Sequence, residues 1–369
     1  MPVHAVVTGG GTAGHVLPAL AIAEALVDAG HDPATIRYIG AQRGIETELL
    51  PTTPFAHTFY DVDGLQRSLD RRNLGFVPKM VRSTRRAISD FRHDRPRVVV
   101  SVGGYASMPA VFAARRLGIP IVVVSYDHTP GRASRLAARS AAACAVAFEH
   151  SSLPRATLTG APVRRAILDV DRPRDRSAAR TTLGLPDDRF VIAVMGGSLG
   201  SGALNDAVLG YLRDHRDDAA LAIRHVVGER FAERVRAEAP AAAGAIHQVV
   251  GYEQDMAAVY AAADLLVGRG GASTVHEVAV TGIPAVLVPW ADSADDHQTD
   301  NVEWLARSGA AVLLPERELE RLGTEIDRLR NDPVARGALG SAAGELGRRH
   351  RSGGLAALID RVALASDAS

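Results

Sequence analysis

The stretch Gly9-Gly10-Gly11-Thr12-Ala13-Gly14-His15 sets bare backbone and an imidazole at the mouth of a turn, between a Val-rich run and an apolar helical pattern. Glycines let backbone N–H groups approach an anion, and a helix N-terminus adds partial positive charge. Gly10, Gly11, Thr12 and Gly14 are therefore candidate phosphate donors. His15, with an ordinary pKa of about 6.5, can accept a proton at neutral pH. The same histidine also reads as a helix-start residue bonded to backbone. Gly9-x-Gly11-x-x-Gly14 formally matches the dinucleotide fingerprint, which needs a carboxylate about 20 positions on, at the end of the second strand. That strand ends Ile39-Gly40-Ala41-Gln42-Arg43, and no carboxylate follows until Glu46. Arg43 would suit a 2′-phosphate, so an NADP reading is weakened and stays open.

Two more glycine loops lie in the second half. Met195-Gly-Gly-Ser-Leu-Gly-Ser-Gly202 follows a strand pattern and opens a helix, with Ser198 as a candidate donor. It reads either as a phosphate or sugar loop or as a plain tight turn. Gly268-Arg-Gly-Gly-Ala-Ser-Thr-Val-His-Glu277 is more informative. Gly270, Gly271, Ala272, Ser273 and Thr274 can aim several amides at a diphosphate, and Glu277, one turn on, can accept both hydroxyls of a ribose. The rival is a capping box, Thr274-x-x-Glu277, with the carboxylate tied to backbone. Beyond the strand AVLVPW comes Asp295-Asp-His-Gln-Thr-Asp-Asn301, where the amide of Gln298 can fix the hydroxyls of a neutral sugar. Phosphate loop, ribose carboxylate and sugar amide in succession describe a nucleotide-sugar pocket.

These loops need strands to hold them. Val/Ile-rich runs at residues 4–8, 36–39, 98–102, 121–124, 143–147 and 156–159 alternate with helical patterns. After the charged stretch DVDRPRDR the rhythm restarts at 190–195, 222–227, 248–250, 265–267, 285–288 and 311–314. Strands separated by helices imply parallel βαβ units, and runs such as IVVV fit sheets buried on both faces. The expectation is α/β: two doubly wound, Rossmann-like parallel-sheet domains facing a cleft, with ligands beyond the carboxyl ends of the strands. The expected limits are 1–163 and 164–349.

Composition narrows the class. The 369 residues are 47% hydrophobic and 23% charged with formal net charge zero, which argues against a general nucleic-acid binder. Lys79 is the only lysine, and the single Cys144 excludes an internal disulfide and suits a reducing compartment. No signal peptide is expected, and no apolar run approaches the roughly 20 residues of a membrane helix. Between Arg67 and Arg97, ten basic residues face three aspartates, with Leu69, Leu74, Phe76, Val77, Met80 and Val81 interleaved. That mixture suits an anionic leaflet, and also an ordinary solvated helix. Asp61-x-Asp63 and Asp169-x-Asp171 resemble metal–diphosphate pairs, but neither adjoins a nucleotide loop, and both are expected to be solvated.

In order, GGGTAGHVLPALAIAEAL, VVSVGGYASMPAVFAARRLGIPIVV, TGAPVR, GGSLGSGALN, YAAADLLVGRGGASTVHE, GIPAVLVPW and DHQTDN resemble the MurG family of glycosyltransferases over nearly the whole chain. The resemblance implies the GT-B fold, with a C-terminal helix (350–369) returning to the first domain. It implies transfer of N-acetylglucosamine from UDP-GlcNAc to lipid I at the inner face of a bacterial membrane, as a peripheral protein on an anionic leaflet. It implies no metal or other cofactor, and cell-wall synthesis and division proteins as partners. His15 and Asp127 would be catalytic. Gly10, Gly11, Thr12, Gly14 and Tyr105 would hold the acceptor diphosphate. Thr12, Gly14, Asp127, Arg164, Ser198, Tyr252, Met256, Ala272, Ser273, Thr274, Glu277 and Gln298 would line the donor site, Tyr252 near the uracil. The alternatives are a related transferase with another acceptor, or a non-catalytic UDP-sugar binder. Departures lie at Val124-Ser125-Tyr126-Asp127, where the family has His-Glu-Gln-Asn, and at Leu199, where it often has Gln. Asp127 accepts hydrogen bonds but cannot donate them as an asparagine does.

Overall fold

A computed structural model describes residues 2–63, 75–197, 199–241, 243–291 and 297–365. Contacts divide the chain into two units, Met1–Arg165 with Arg349–Ser369, and Ala166–Arg348. Ser198, Asp295, Asp296 and the part of the basic stretch from Arg67 to Leu74 lie outside the described residues.

The first unit is a seven-stranded parallel sheet: β1 (Ala5–Thr8), β2 (Ile36–Ala41), β3 (Ala56–Tyr60), β4 (Val98–Ser101), β5 (Ile121–Ser125), β6 (Ala143–Val146) and β7 (Ala156–Leu158). Its order is β3-β2-β1-β4-β5-β6-β7. The second has β8 (Phe190–Met195), β9 (Leu221–Val226), β10 (Ile246–Val250), β11 (Leu265–Arg269), β12 (Ala285–Val288) and β13 (Val312–Leu313), in the order β10-β9-β8-β11-β12-β13. Both are the doubly wound parallel sheets expected. The central strands are buried along their whole length, because helices cover both faces. Burying each Val, Ile or Leu is worth about 1.5–3 kcal/mol, so the apolar runs specify these strands without help from turns. The strand order reverses between β1 and β4 and again between β8 and β11. The glycine loops after these four strands therefore open at the two switch points, where open α/β sheets bind ligands.

Strand β3 is not among the expected strands. It is an edge strand whose first two residues are exposed, so it carries no continuous apolar run. In the first unit the C-terminal helix Gly354–Ala365 packs on β4, β6 and the helix Ala13–Asp28. Asp360 Oδ1 lies 2.9 Å from His4 Nε2 and 2.8 Å from His31 Nε2. The two imidazoles stack with centroids 3.7 Å apart. Stacked rings point their nitrogens side by side, which suits hydrogen bonding to one shared oxygen better than convergence on an ion. In the second unit Asp171 caps the helix Arg172–Leu183, accepting from Arg174 N. Fully buried Arg180 donates to the carbonyls of Ala262, Pro186, Asp187 and Arg189 and pairs with Asp264, so each guanidinium nitrogen has a partner that offsets its burial.

Candidate functional site

The first switch point is built around the start of the helix Ala13–Asp28. Thr12 is its N-cap in extended conformation, and its side chain caps no amide. Instead Thr12 Oγ1 lies 3.0 Å from His15 Nδ1. That contact disposes of the plain reading of His15 as a ring bonded to backbone. With Nδ1–H donating to Thr12, Nε2 carries the lone pair; with the Thr12 hydroxyl donating to Nδ1, Nε2 carries the proton. Gly104, from the loop after β4, packs close to the His15 ring; a Cβ there would lie 3.5 Å from it. Burial pushes the His15 imidazole below its ordinary value, against the charges of Asp127 and then Glu46, which pull it up. His15 is thus a neutral base at pH 7, flanked by carboxylates.

Three buried side chains brace this loop. Tyr38 donates to the Gly9 carbonyl at 2.7 Å. Glu46 Oε1 accepts from Gly11 N at 2.9 Å and Ala41 N at 3.1 Å. Tyr126 donates to the Gly14 carbonyl. The last has a sequence cause. Pro18 lies four residues after Gly14 inside the helix and lacks an N–H, so the Gly14 carbonyl has no helical donor. The Tyr126 phenol supplies one. Burial pushes both tyrosines up, so they stay neutral donors. The Gly11 amide, expected among the anion donors, is taken by Glu46. The amides of Thr12, Ala13 and Gly14 are the ones left at the helix opening.

Tyr105 is partly exposed beside this loop and meets Phe76 edge-on, with centroids 5.9 Å apart. Arg164 also belongs to the first unit; its Nε is buried without a hydrogen-bond partner among the described residues. Asp61 and Asp63, expected to be solvated, are instead engaged by Lys79 at 3.0 and 2.6 Å, and Asp61 also by Arg82 at 3.1 Å.

The second switch point collects Gly270 to Thr274, Glu277 and Gln298. The helix runs Ala272–Thr281 with Gly271 as its N-cap. Thr274 is therefore the third helical residue, and the capping box with Glu277 does not form. Glu277 Oε2 instead accepts from the buried Tyr260 hydroxyl at 2.7 Å. Tyr260 stands on the helix Met256–Ala262, so Met256 and Glu277 are tied through one short helix. Ala272, Ser273 and Thr274 supply first-turn amides. Gly270 permits a close approach: a Cβ would collide with Val302 and lie 2.9 Å from the Gln298 carbonyl. Gln298 Oε1 accepts from Trp290 N at 3.0 Å, which leaves its NH₂ as the group to offer. Tyr252 is partly exposed, and Leu199 is the more open, at 71%.

Sequence reasoning missed the residue that organises these loops. Arg269, the last residue of β11, is buried. It donates to Ser201 Oγ at 2.5 Å, to the carbonyls of Val288 and Pro289, and to Glu316. Glu316 also accepts from Ala291 N at 3.0 Å. One guanidinium so joins the loop after β8 to the end of β12. The only sequence signal was an arginine between glycines at a strand end.

Comparison with known proteins follows the same division. The glycosyltransferase family 28 N-terminal domain matches residues 5–146, and the family 28 C-terminal domain matches residues 191–346. A protein of Desulforudis audaxviator named UDP-N-acetylglucosamine–N-acetylmuramyl-(pentapeptide) pyrophosphoryl-undecaprenol N-acetylglucosamine transferase is 35% identical over 370 residues, 97% of this chain and 98% of that protein. A protein of Clavibacter sepedonicus with the same name is 36% identical, covering 97% of this chain and 96% of its own length. The crystal structure of Acinetobacter baumannii MurG superposes with a TM-score of 0.70 at 28% identity, over 98% of this chain and 99% of that one.

Proposed function

This chain belongs to glycosyltransferase family 28, and from that premise we propose that it moves N-acetylglucosamine from UDP-GlcNAc to the 4-hydroxyl of the muramoyl sugar of lipid I, giving lipid II for peptidoglycan synthesis. The observation that carries this reading is that relatives matching nearly the whole chain are named for that transfer.

The chemistry is a single displacement that inverts the anomeric carbon. His15 Nε2 takes the proton of the acceptor hydroxyl, supported by the Nδ1 contact to Thr12 and the charge of Asp127. The acceptor diphosphate lies against the Thr12–Gly14 amides, with Gly10, Gly11 and Tyr105 shaping the loop. On the donor side, the helix opening at Ala272 receives the departing diphosphate, where fixed amides and the helix field act on developing charge. Glu277 holds the ribose and Gln298 the sugar hydroxyls. Ser198, Tyr252, Met256, Arg164 and Asp127 complete the donor set. Labelled UDP-GlcNAc incubated with a short-chain lipid I analogue should yield disaccharide product. Nucleotide binding with rejection of that acceptor would indicate a transferase for another acceptor. Absence of both would defeat the reading.

The lipid substrate implies work at a membrane surface. No helix among the described residues is long and apolar enough to cross a membrane. The helix Phe76–His93 instead exposes Val77 and Val81, at 63% and 43%, beside exposed Arg82 and Arg85. Lys79 is committed to Asp61 and Asp63, and Arg82 to Asp61, which weakens the basic count read from sequence. We assign this face to the anionic inner leaflet, each nearby arginine contributing about 1 kcal/mol. Anionic vesicles should retain the protein, and roughly 0.5 M salt should release it by screening. Equal partition into neutral and anionic vesicles would sink the assignment.

A further inference from the structure

Beneath the loop that receives an anion, the first unit buries a carboxylate completely. Glu46 opens the short helix Glu46–Leu49 after β2 and is fully buried. Oε1 takes the amides of Gly11 and Ala41. Oε2 is buried with no hydrogen-bond partner among the described residues. Three glycines make room for this group. A Cβ at Gly10 would collide with Oε1, one at Gly44 would collide with Oε2, and one at Gly40 would lie 3.2 Å from Cγ. Gly44 also has φ +138°, where any side chain would be strained.

An under-satisfied buried carboxylate is expensive, and more so under a phosphate loop, where its charge opposes the ligand. Packing alone does not call for it, because glutamine has nearly the same volume and would still accept from both amides. The charge therefore needs a use. The carboxylates acting on the His15 ring are Asp127 and Glu46; Tyr38 and Tyr126, also packed around the loop, are neutral phenols. Among the described residues, no cation joins them in acting on the ring.

We propose that Glu46 is a positioning residue of the transfer: from beneath the loop it ties back the Gly11 amide, so that the Thr12–Gly14 amides face the acceptor, and it sets a carboxylate under the loop that carries His15. This rests on the reading of His15 as the base. The sign follows from the charges. Burial alone lowers the imidazole, and a carboxylate nearby raises it. Removing the Glu46 charge lowers His15 further. The acid limb of the pH–rate profile then moves to lower pH, while the rate above it falls because the base is weaker.

Two measurements on Glu46→Gln separate this inference from the functional reading. The first is an NMR titration of the His15 imidazole in the full chain without substrate. The expected result is a fall of about half a pKa unit or more, the size of a neighbouring-charge effect. The second is transfer to the lipid I analogue across pH. The acid limb should shift by the same amount and kcat should drop by about two- to threefold, as a Brønsted dependence on half a pKa unit allows, with the KM for UDP-GlcNAc unchanged. If Glu46→Gln does not fold, Glu46→Asp carries the same titration, its carboxylate withdrawn by one methylene, and a smaller fall in the same direction is expected. An identical His15 titration in wild type and variant overturns the inference whatever the activity does. A shifted titration in a protein whose wild type transfers nothing upholds the charge coupling and fails the functional reading instead.

Discussion

Replacing His15 with alanine is expected to lower turnover by about 10²-fold or more while UDP binds as before. Positioned general-base catalysis is worth about 10²–10⁴-fold, and alanine removes the imidazole while every residue of the nucleotide loops stays as it is. The geometry suits the ring to proton transfer, with Nδ1 held by Thr12 at 3.0 Å, Gly104 against one face, and two carboxylates acting on its charge. Because burial holds the imidazole below its ordinary value, it is unprotonated at pH 7, and the rate should fall only as the pH drops through that lowered value. The checks are kcat at saturating substrates and UDP affinity by calorimetry. Undiminished kcat would take His15 out of the mechanism. Weakened UDP binding would mean that the alanine acts through structure and not through proton transfer.

The second large effect is expected on the donor side. Glu277→Ala should raise the KM for UDP-GlcNAc, and weaken UDP binding, by about 10²-fold. A charged acceptor contributes about 1.5–3 kcal/mol per hydrogen bond, and a ribose offers two hydroxyls. The substitution also strips the buried Tyr260 hydroxyl of its acceptor. Tyr260→Phe provides the graded comparison. It leaves the carboxylate and removes only its orienting donor, so a loss of a few-fold is expected. Calorimetric titration with UDP measures both. If Glu277→Ala binds UDP like wild type, the carboxylate is not the ribose acceptor, and its pairing with Tyr260 is structural only.

How much was legible follows from where the information sits. The central strands were readable because they are buried on both faces, and burial on both faces writes itself as an unbroken Val/Ile run. Edge strand β3 was not, since an exposed edge imposes no such run. The start of the helix at Ala272 was not legible because Thr274 and Glu277 mimic a capping box, while the actual N-cap, Gly271, has no side chain to announce it. Asp61 and Asp63 looked solvated because the cation that neutralises them, Lys79, lies 16 residues beyond Asp63 on a helix.

The sequence by itself determined the alternation of strands and helices, the two parallel sheets, and glycine turns at the strand ends. Each depends on residues near one another in the chain, through periodicity, β-branching and backbone freedom. Only the tertiary structure decided which donors those turns keep for a ligand. Glu46 takes the amide of Gly11 from 35 residues away, and Tyr126 serves the Gly14 carbonyl that Pro18 leaves bare from 112 residues away. Hydrogen-bond satisfaction is settled in space among buried groups, and no local pattern records which distant side chain will arrive.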